Sequence, residues 1–515
     1  MEKTKTIKKN FIYFPLGTVG RDAIYCLFNS YLLTFVLFTH SLDGAQIAAV
    51  TGVMIAARVF DALNDPIMGN LIERTHTKYG KFKPWLLAGG LSTSVVVCLM
   101  FNVSLQGWSF VCFFALMYFA FSITYTMSDI SYWGMIPALG SDADARNRFT
   151  SRATLFGGGG NTLAAIFIPM FTAGSGAIGG STASAYGIIA LIIAVLSPLF
   201  ILFTLFGVRE HRETLPAAAQ REKFSLKHIF RTIARNDQLV WAAAVFLIQQ
   251  IGNGLVAGGI GSAYIYFTFG YNGGLYSLFT TIGMSATALL MIFYPAISRH
   301  IRRKKLIGIM AAVSSLGYAM MLGSLFIPGA GTDKFALLVT GYMLSCFGQY
   351  CFYLIMMISI MNTVEYNEYK YGTRDEGIIT SLRPFITKMA AALIVAVTSA
   401  TYLICGVTGY TNRISDLEQK CAQGLISEAE KLSRISLVIF GDTGGTHPGV
   451  SDSQSAGLLL AMTVFPWLLM MISCFLYRKK YRLDEEEYDR ICGELHKRKQ
   501  KNTAEPETGT ALHLH

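Results

Sequence analysis

The sequence predicts an all-α membrane protein with twelve transmembrane helices in two six-helix bundles. Three observations predict it. The 515 residues are 52% hydrophobic and only 15% charged, whereas a soluble chain carries about 25% charge. The apolar residues gather into twelve runs, each near the ~20 residues that a spanning helix needs. A basic polar stretch at 208–237 divides the runs six and six, and loops at matching places in the two halves look alike. Such duplication marks one large transporter architecture. The composition excludes an intrinsically disordered chain and a secreted disulfide scaffold. The nine cysteines are scattered, mostly in apolar runs, and show no metal spacing, so they read as small buried hydrophobes.

The elements follow in order. The start, MEKTKTIKKN, is basic, and the run at 11–38 contains Arg21 and Asp22 without a small-residue cleavage site. It is therefore a first span and not a signal peptide. Further runs lie at 44–72, 84–104, 108–134, 151–173 and 183–207, completing a first half at 1–207. After the linker at 208–237, rich in Arg and Lys, a second half at 238–480 holds runs at 238–262, 273–297, 304–327, 334–361, 378–408 and 456–477. An insertion at 409–455 interrupts it, and its middle, ISDLEQKCAQGLISEAEKLSRI, has the pattern of one amphipathic helix. In the tail at 481–515, RLDEEEYDRICGELHKRK places acid first and base last, as a helix dipole prefers. The last residues, TAEPETGTALHLH, read as disordered. The glycines at 157–160 and at 254, 258 and 259 suit close helix packing or bending.

The formal charge of +11 would suggest nucleic acid in a soluble protein. Here the basic residues cluster in alternate loops, at 3–9, 78–83, 146–148, the linker, 302–305 and 478–480, while THSLDGAQ and NVSLQGW have none. This is a topology signal. It predicts a multi-pass protein of the bacterial cytoplasmic (inner) membrane with both termini cytosolic, embedded in lipid and binding no nucleic acid.

The chemistry lies in polar residues within the spans. A carboxylate at the centre of a membrane helix costs about 2.5–3.5 kcal/mol on insertion scales. Asp22 falls in the first run, Arg58, Asp61 and Asp65 in the second, Asp129 in the fourth and Lys388 in the eleventh. In ARVFDALNDP, Asp61 and Asp65 stand one helical turn apart on one face, with Asn64 beside them and Arg58 three residues before Asp61. Two carboxylates and an amide oxygen form a hard-oxygen cluster. Their like charges repel, which a bound cation relieves. Sodium requires several such oxygens and a proton only one carboxylate; Thr126 adds a hydroxyl. No histidine lies within a run, which argues against a histidine proton relay. Tyr125, Asp129 and Trp133 recur at one-turn spacing. Carboxylates for hydroxyl groups beside an aromatic face suit a carbohydrate.

These residues carry a resemblance. DALNDPIMGNLIERTHTKYGKFKPW at 61–85, YTMSDISYWGMIPAL at 125–139 and NTVEYNEYKYGTRDEG at 362–377 resemble the glycoside–pentoside–hexuronide:cation symporters, of the melibiose permease type, in the major facilitator superfamily. The similarity runs through nearly the whole chain, to YRLDEEEYDRI in the tail. It implies a cation set of Asp61, Asn64, Asp65 and Thr126, with Asp61 and Asp65 holding the metal ion, sodium. It implies sugar contacts at Asp22 and Asp129 with Arg21, Tyr125 and Trp133 beside them, and Lys388 linking the two sites. A sugar-contacting arginine of the family aligns with Thr154 here, so Arg152 is the candidate to replace it. A span-ten tryptophan becomes Tyr353, and a threonine before the span-eleven lysine becomes Pro384.

The reading is therefore a symporter that takes up a glycoside or oligosaccharide with sodium, or with a proton or lithium ion, by alternating access, without a cofactor. Arg74, Lys81 and Arg146 are candidates to clasp Glu365, Glu368 and Glu376 when the cytosolic side closes. A transporter of the same fold for a lysolipid or organic anion is the alternative, and would need more unpaired Lys or Arg. An intramembrane enzyme using Asp61 and Asp65 is remote, because catalytic acid pairs come from separate segments.

Overall fold

A computed structural model describes the chain except residues 1, 76, 140–142, 209–225, 374, 443–447 and 505–515. Most of the basic linker and the last residues of the tail thus lie outside the described residues. Among the described residues, twelve helical segments are long and apolar enough to cross a membrane. They are span 1 (Glu2–Thr39), span 2 (Gly44–Glu73), span 3 (Lys83–Asn102), span 4 (Gly107–Gly134), span 5 (Ala143–Thr172) and span 6 (Thr182–Gly207), followed by span 7 (Asp237–Phe269), span 8 (Gly273–His300), span 9 (Arg303–Gly323), span 10 (Thr332–Tyr371), span 11 (Glu376–Ile404) and span 12 (Asp452–Lys480). With an even number of these spans among the described residues, the start of span 1 and the end of span 12 lie on one face, the terminal face; the insertion hairpin lies on the other.

The span starts carry their own stop signals for the preceding loop. Asp43 and Gln46 form a capping box at span 2, and Ser451 and Gln454 form another at span 12. Asn236 accepts the Leu239 N–H at span 7. These reciprocal bonds satisfy the free amides of a first turn. Span 10 ends where Gly372 turns left-handed at φ 74°.

Two spans are interrupted. Span 1 contains one π turn, Leu27–Tyr31, a distortion common at functional sites. Span 7 breaks at Gly258 and restarts as Gly259–Phe269. The apolar run predicted its end at 262; the helix continues because the glycine pair breaks it without ending it. The insertion corrects a second expectation. It is a hairpin of two helices, Thr408–Ala422 and Glu428–Phe440, because Gly424 adopts φ 72° and Ser427 caps the second helix through the Glu430 N–H.

Spans 1 and 5 touch backbone to backbone: a Cβ on Gly160 would strike the Val19 carbonyl. At the insertion face the two halves are hydrogen-bonded together. Asn412 exchanges two bonds with the Leu42 backbone, at 3.1 and 2.8 Å, and the Gln419 amide donates to the Thr39 carbonyl at 3.0 Å. The Ser277 hydroxyl of span 8 donates to the Ile166 carbonyl of span 5 at 2.7 Å. Deepest is Glu418, which accepts the Thr182 N–H at 2.7 Å and the Lys431 ammonium at 3.2 Å, both side chains fully buried. Lys431 also donates to the Gly180 carbonyl at 2.7 Å.

On the terminal face the tail helix, Glu485–Ala504, packs against span 10. Acids at and just before its start meet the basic run at the start of span 9: Lys304 to Asp484 at 3.0 Å and Arg302 to Glu486 at 2.6 Å. Burial pushes the Asp484 carboxyl up, but the Lys304 ammonium and the Glu487 N–H outweigh it and hold the group below its ordinary value. This anchorage is therefore present near neutral pH and weakens as pH falls.

The buried pair yields a prediction. Lys431→Met should cost about 3–5 kcal/mol, since it strands a buried carboxylate. Adding Glu418→Gln should recover much of that loss. Thermal unfolding in detergent measures both.

Candidate functional site

A cavity of about 640 Å³ lies between the halves, lined from spans 1, 2, 4, 5 and 11. That is within the ~300–1,000 Å³ of small-ligand sites. Its wall divides into three groups.

The first is a ladder between spans 2 and 4. The turn-by-turn spacing of Asp61 and Asp65 faces the same spacing of Ser122 and Thr126. Asp61 Oδ1 accepts from the Ser122 hydroxyl, and Asp65 Oδ1 accepts from Thr126 at 3.2 Å. Each acid also meets a base. Arg58 lies 3.7 Å from Asp61 Oδ2, and the Lys388 ammonium of span 11 lies 2.5 Å from Asp65 Oδ2. Arg58 is held from behind: it donates to Asn29 Oδ1, on the π turn of span 1. Asn64 is buried next to Asp65, with an amide nitrogen that has no partner among the described residues.

The second group centres on Arg21, 5% exposed. Its guanidinium reaches Asp22 at 2.8 Å and Asp129 at 3.0 Å. The Asp129 contact is electrostatic and too poorly aligned for a hydrogen bond, since that nitrogen has no hydrogen-bond partner. The same guanidinium lies over the rings of Tyr132 and Trp133, at 4.8 and 5.1 Å. Tyr125 stacks on Phe121 at 5.4 Å. Asp22 fits against span 5 only because residue 157 is glycine; a Cβ there would collide with the Asp22 carboxylate.

The third group comes from the second half. Besides Lys388, span 11 lines the cavity with Arg383, Pro384 and Thr387. Arg383 donates to the Tyr353 hydroxyl of span 10 at 3.1 Å.

The structure thus brings Asp22, Asp61, Asp65, Tyr125, Thr126, Asp129, Trp133 and Lys388 to one cavity, with Arg21 and Asn64 buried beside them. Tyr353 joins through Arg383. Arg152 is not brought there: it lies over the Phe11 ring at 5.0 Å and donates to the Phe11 carbonyl. The helix turns it away from the cavity, and Thr154 lines the wall in its place. Lys81 lies over the Phe82 ring at 4.7 Å, and Glu365 faces Tyr488 of the tail helix. Arg74, Arg146, Glu368 and Glu376 are likewise not free. Ser122, Asn29 and Arg383 are absent from the sequence-based set. Ser122 was legible as the residue one turn before Thr126. Asn29 was not, because a π turn sets its direction.

Residues 13–485 match the family model described as MFS/sugar transport protein. The chain belongs to this family. It is 28% identical to a lactose permease of Lactobacillus helveticus over 78% of its own length and 63% of the permease. It is 26% identical to the raffinose carrier protein of Pediococcus pentosaceus, covering 94% of this chain and 71% of the carrier. The chain therefore spans under two thirds of that permease. Among solved structures, it superimposes on a bacterial homolog of the human lysosomal transporter Spinster, in an inward-facing and unoccupied conformation, with a TM-score of 0.60 at 13% identity, over 95% of this chain and 98% of that one. A D-xylose–proton symporter gives a TM-score of 0.55 at 13% identity, over 83% of this chain and 99% of the other. At such identity these likenesses speak to the fold alone.

The Asp65–Lys388 contact can be tested as a pair. Lys388→Met and Asp65→Asn should each destabilise more than the two together. Because the pair borders a cavity and is partly exposed, solvent screens it. The coupling energy in a double-mutant cycle should then lie at about 0.5–1 kcal/mol, the low end for residues in contact.

Proposed function

We propose that the protein is a secondary active symporter that carries a glycoside or oligosaccharide across the bacterial inner membrane together with sodium, by alternating access. The observation that carries this reading is the cavity of about 640 Å³ between the halves, in which an oxygen ladder on spans 2 and 4 adjoins an acid–arginine–tryptophan wall. The named lactose permease and raffinose carrier relatives support sugar as the cargo class.

The ladder offers oxygens from Asp61, Asp65, Ser122 and Thr126, and the Asn64 amide stands beside it. Among the described residues no group of three or more His, Cys, Asp or Glu could hold a metal. Two carboxylates with neutral oxygens suit a monovalent ion better than a divalent one. Sodium entering at Asp65 competes with the Lys388 ammonium for the same carboxylate. The sugar sits against Asp22, Asp129 and the Trp133 face, with Arg21 fixing both acids. The terminal face, where the basic loops lie, is cytosolic. One positive charge falling through 100 mV releases about 2.3 kcal/mol, enough for roughly 40-fold accumulation at 1.4 kcal/mol per decade.

Two same-helix acids, each held by its own base, give no acid–base pair for intramembrane hydrolysis. The polar wall likewise suits a polyhydroxyl compound better than a lysolipid.

Uptake into proteoliposomes tests the reading. Asp61→Cys and Asp65→Cys should each abolish stimulation by sodium while leaving some sugar binding. Asp22→Ala and Asp129→Ala should remove sugar binding itself, read as the loss of a sugar-induced thermal shift. Full sodium-stimulated uptake in an Asp61/Asp65 double variant would refute the assignment. Gly157→Ala should weaken sugar binding about tenfold by displacing the Asp22 carboxylate.

A further inference from the structure

At the insertion face the halves meet through a plug and a socket. The plug belongs to the insertion hairpin, between spans 11 and 12 of the second half. Glu418 and Lys431, one on each of its helices, pair at 3.2 Å with both side chains 0% exposed. The socket belongs to the first half. Just before span 6, Gly179 and Gly180 turn at φ 79° and 78°, a backbone that glycine adopts at no steric cost. The turn presents the Gly180 carbonyl to the Lys431 ammonium at 2.7 Å and to the Cys421 thiol at 3.2 Å. Thr182 then gives its N–H to one Glu418 oxygen at 2.7 Å and its hydroxyl to the other at 3.1 Å.

Each charge of the plug meets a matching dipole. The carboxylate faces the positive end of span 6, and the ammonium faces a carbonyl. Beside the plug, Asn412 and Gln419 of the same hairpin hold the backbone at Leu42 and Thr39, where span 1 ends. Other bonds join the halves at this face, such as the Gly273 N–H to the Ala173 carbonyl at 3.2 Å and the Tyr271 and Thr182 hydroxyls at 2.7 Å. Those two join neutral groups. The hairpin thus supplies the charged part of the closure, although it lies outside the twelve spans.

We propose that the hairpin is a latch on the extracytoplasmic side, which holds the two halves together there and sets the fraction of molecules whose cavity opens outward. This rests on the alternating-access reading above and adds the element that governs one of its two openings. The plug is assembled within the hairpin, so release breaks the socket bonds without leaving either charge unpaired. External sugar meets the outward-open form alone, and its apparent affinity is reduced by the fraction of that form. The latch is therefore a brake on uptake as well as a seal.

The test places a reporter thiol in the cavity by Asn161→Cys, on span 5. Right-side-out membrane vesicles carrying the full chain are treated with a membrane-impermeant maleimide, and labelling at that peptide is followed by mass spectrometry. Adding Asn412→Ala with Gln419→Ala, which removes three latch bonds and no charge, should speed labelling of the reporter at least tenfold. Gln419→Met alone, which removes one bond and keeps the volume, should speed it at least threefold and covers the case in which the triple variant does not fold. A rate unchanged within twofold in the triple variant or, should that not fold, in the Gln419→Met variant overturns the latch. Faster labelling of Cys421 without faster labelling of the reporter overturns it too, because the hairpin has then only frayed. Wild-type vesicles that take up neither lactose nor raffinose overturn the sugar reading instead, since the labelling rates are read without sugar.

Discussion

A charge near the middle of a membrane must be answered by another, and four carboxylates in the first half impose that demand. Three are answered locally. Asp22 and Asp129 share Arg21, and Asp61 has Arg58 and Ser122. Asp65 alone draws its countercharge from the other half, through Lys388. That asymmetry gives the structure its logic. The pair is at once an electrostatic necessity and a tie between bundles, so whatever neutralises Asp65 in place of the lysine also loosens the tie.

The insertion face is closed by a different device. Its bonds run mostly to backbone carbonyls and amides at span ends, where each contributes about 1 kcal/mol. A set of that strength can be broken in a transport cycle. Glu418 and Lys431 belong to the same hairpin, so in the proposed cycle their ion pair would survive a separation of the halves, whereas the bonds to Thr182 and Gly180 would not.

Hydropathy and charge made the fold legible because lipid enforces them: each run of about 20 apolar residues had one available conformation. The acids of spans 1, 2 and 4 were legible for the same reason, being too costly to be accidental. What escaped depends on direction and not on composition. Arg152 and Thr154 stand two residues apart, and only the roll of span 5 decides which faces the cavity. Asn29 reaches Arg58 because one π turn rotates span 1. Arg383 lies within the run at 378–408, and only the roll of span 11 turns it to the cavity wall. The insertion, outside the membrane, lacks the lipid constraint, and there a single glycine turned one expected helix into two.

Coupling in the proposed cycle follows from where the displaced charge goes. Asp22, Asp61, Asp65 and Asp129 balance Arg21, Arg58, Arg383 and Lys388 around the cavity in formal charge, so an entering monovalent cation would leave one positive charge in excess and free the Lys388 ammonium. That ammonium already lies within electrostatic reach of Asp129. Freed from Asp65, its field would fall on the acids proposed to hold the sugar and on Arg21 between them. It would compete with Arg21 for those carboxylates and open the acids to sugar hydroxyls. Ion entry and sugar affinity are then linked by one mobile ammonium, and linkage of this kind is reciprocal: the sugar raises the affinity for the ion by the same factor.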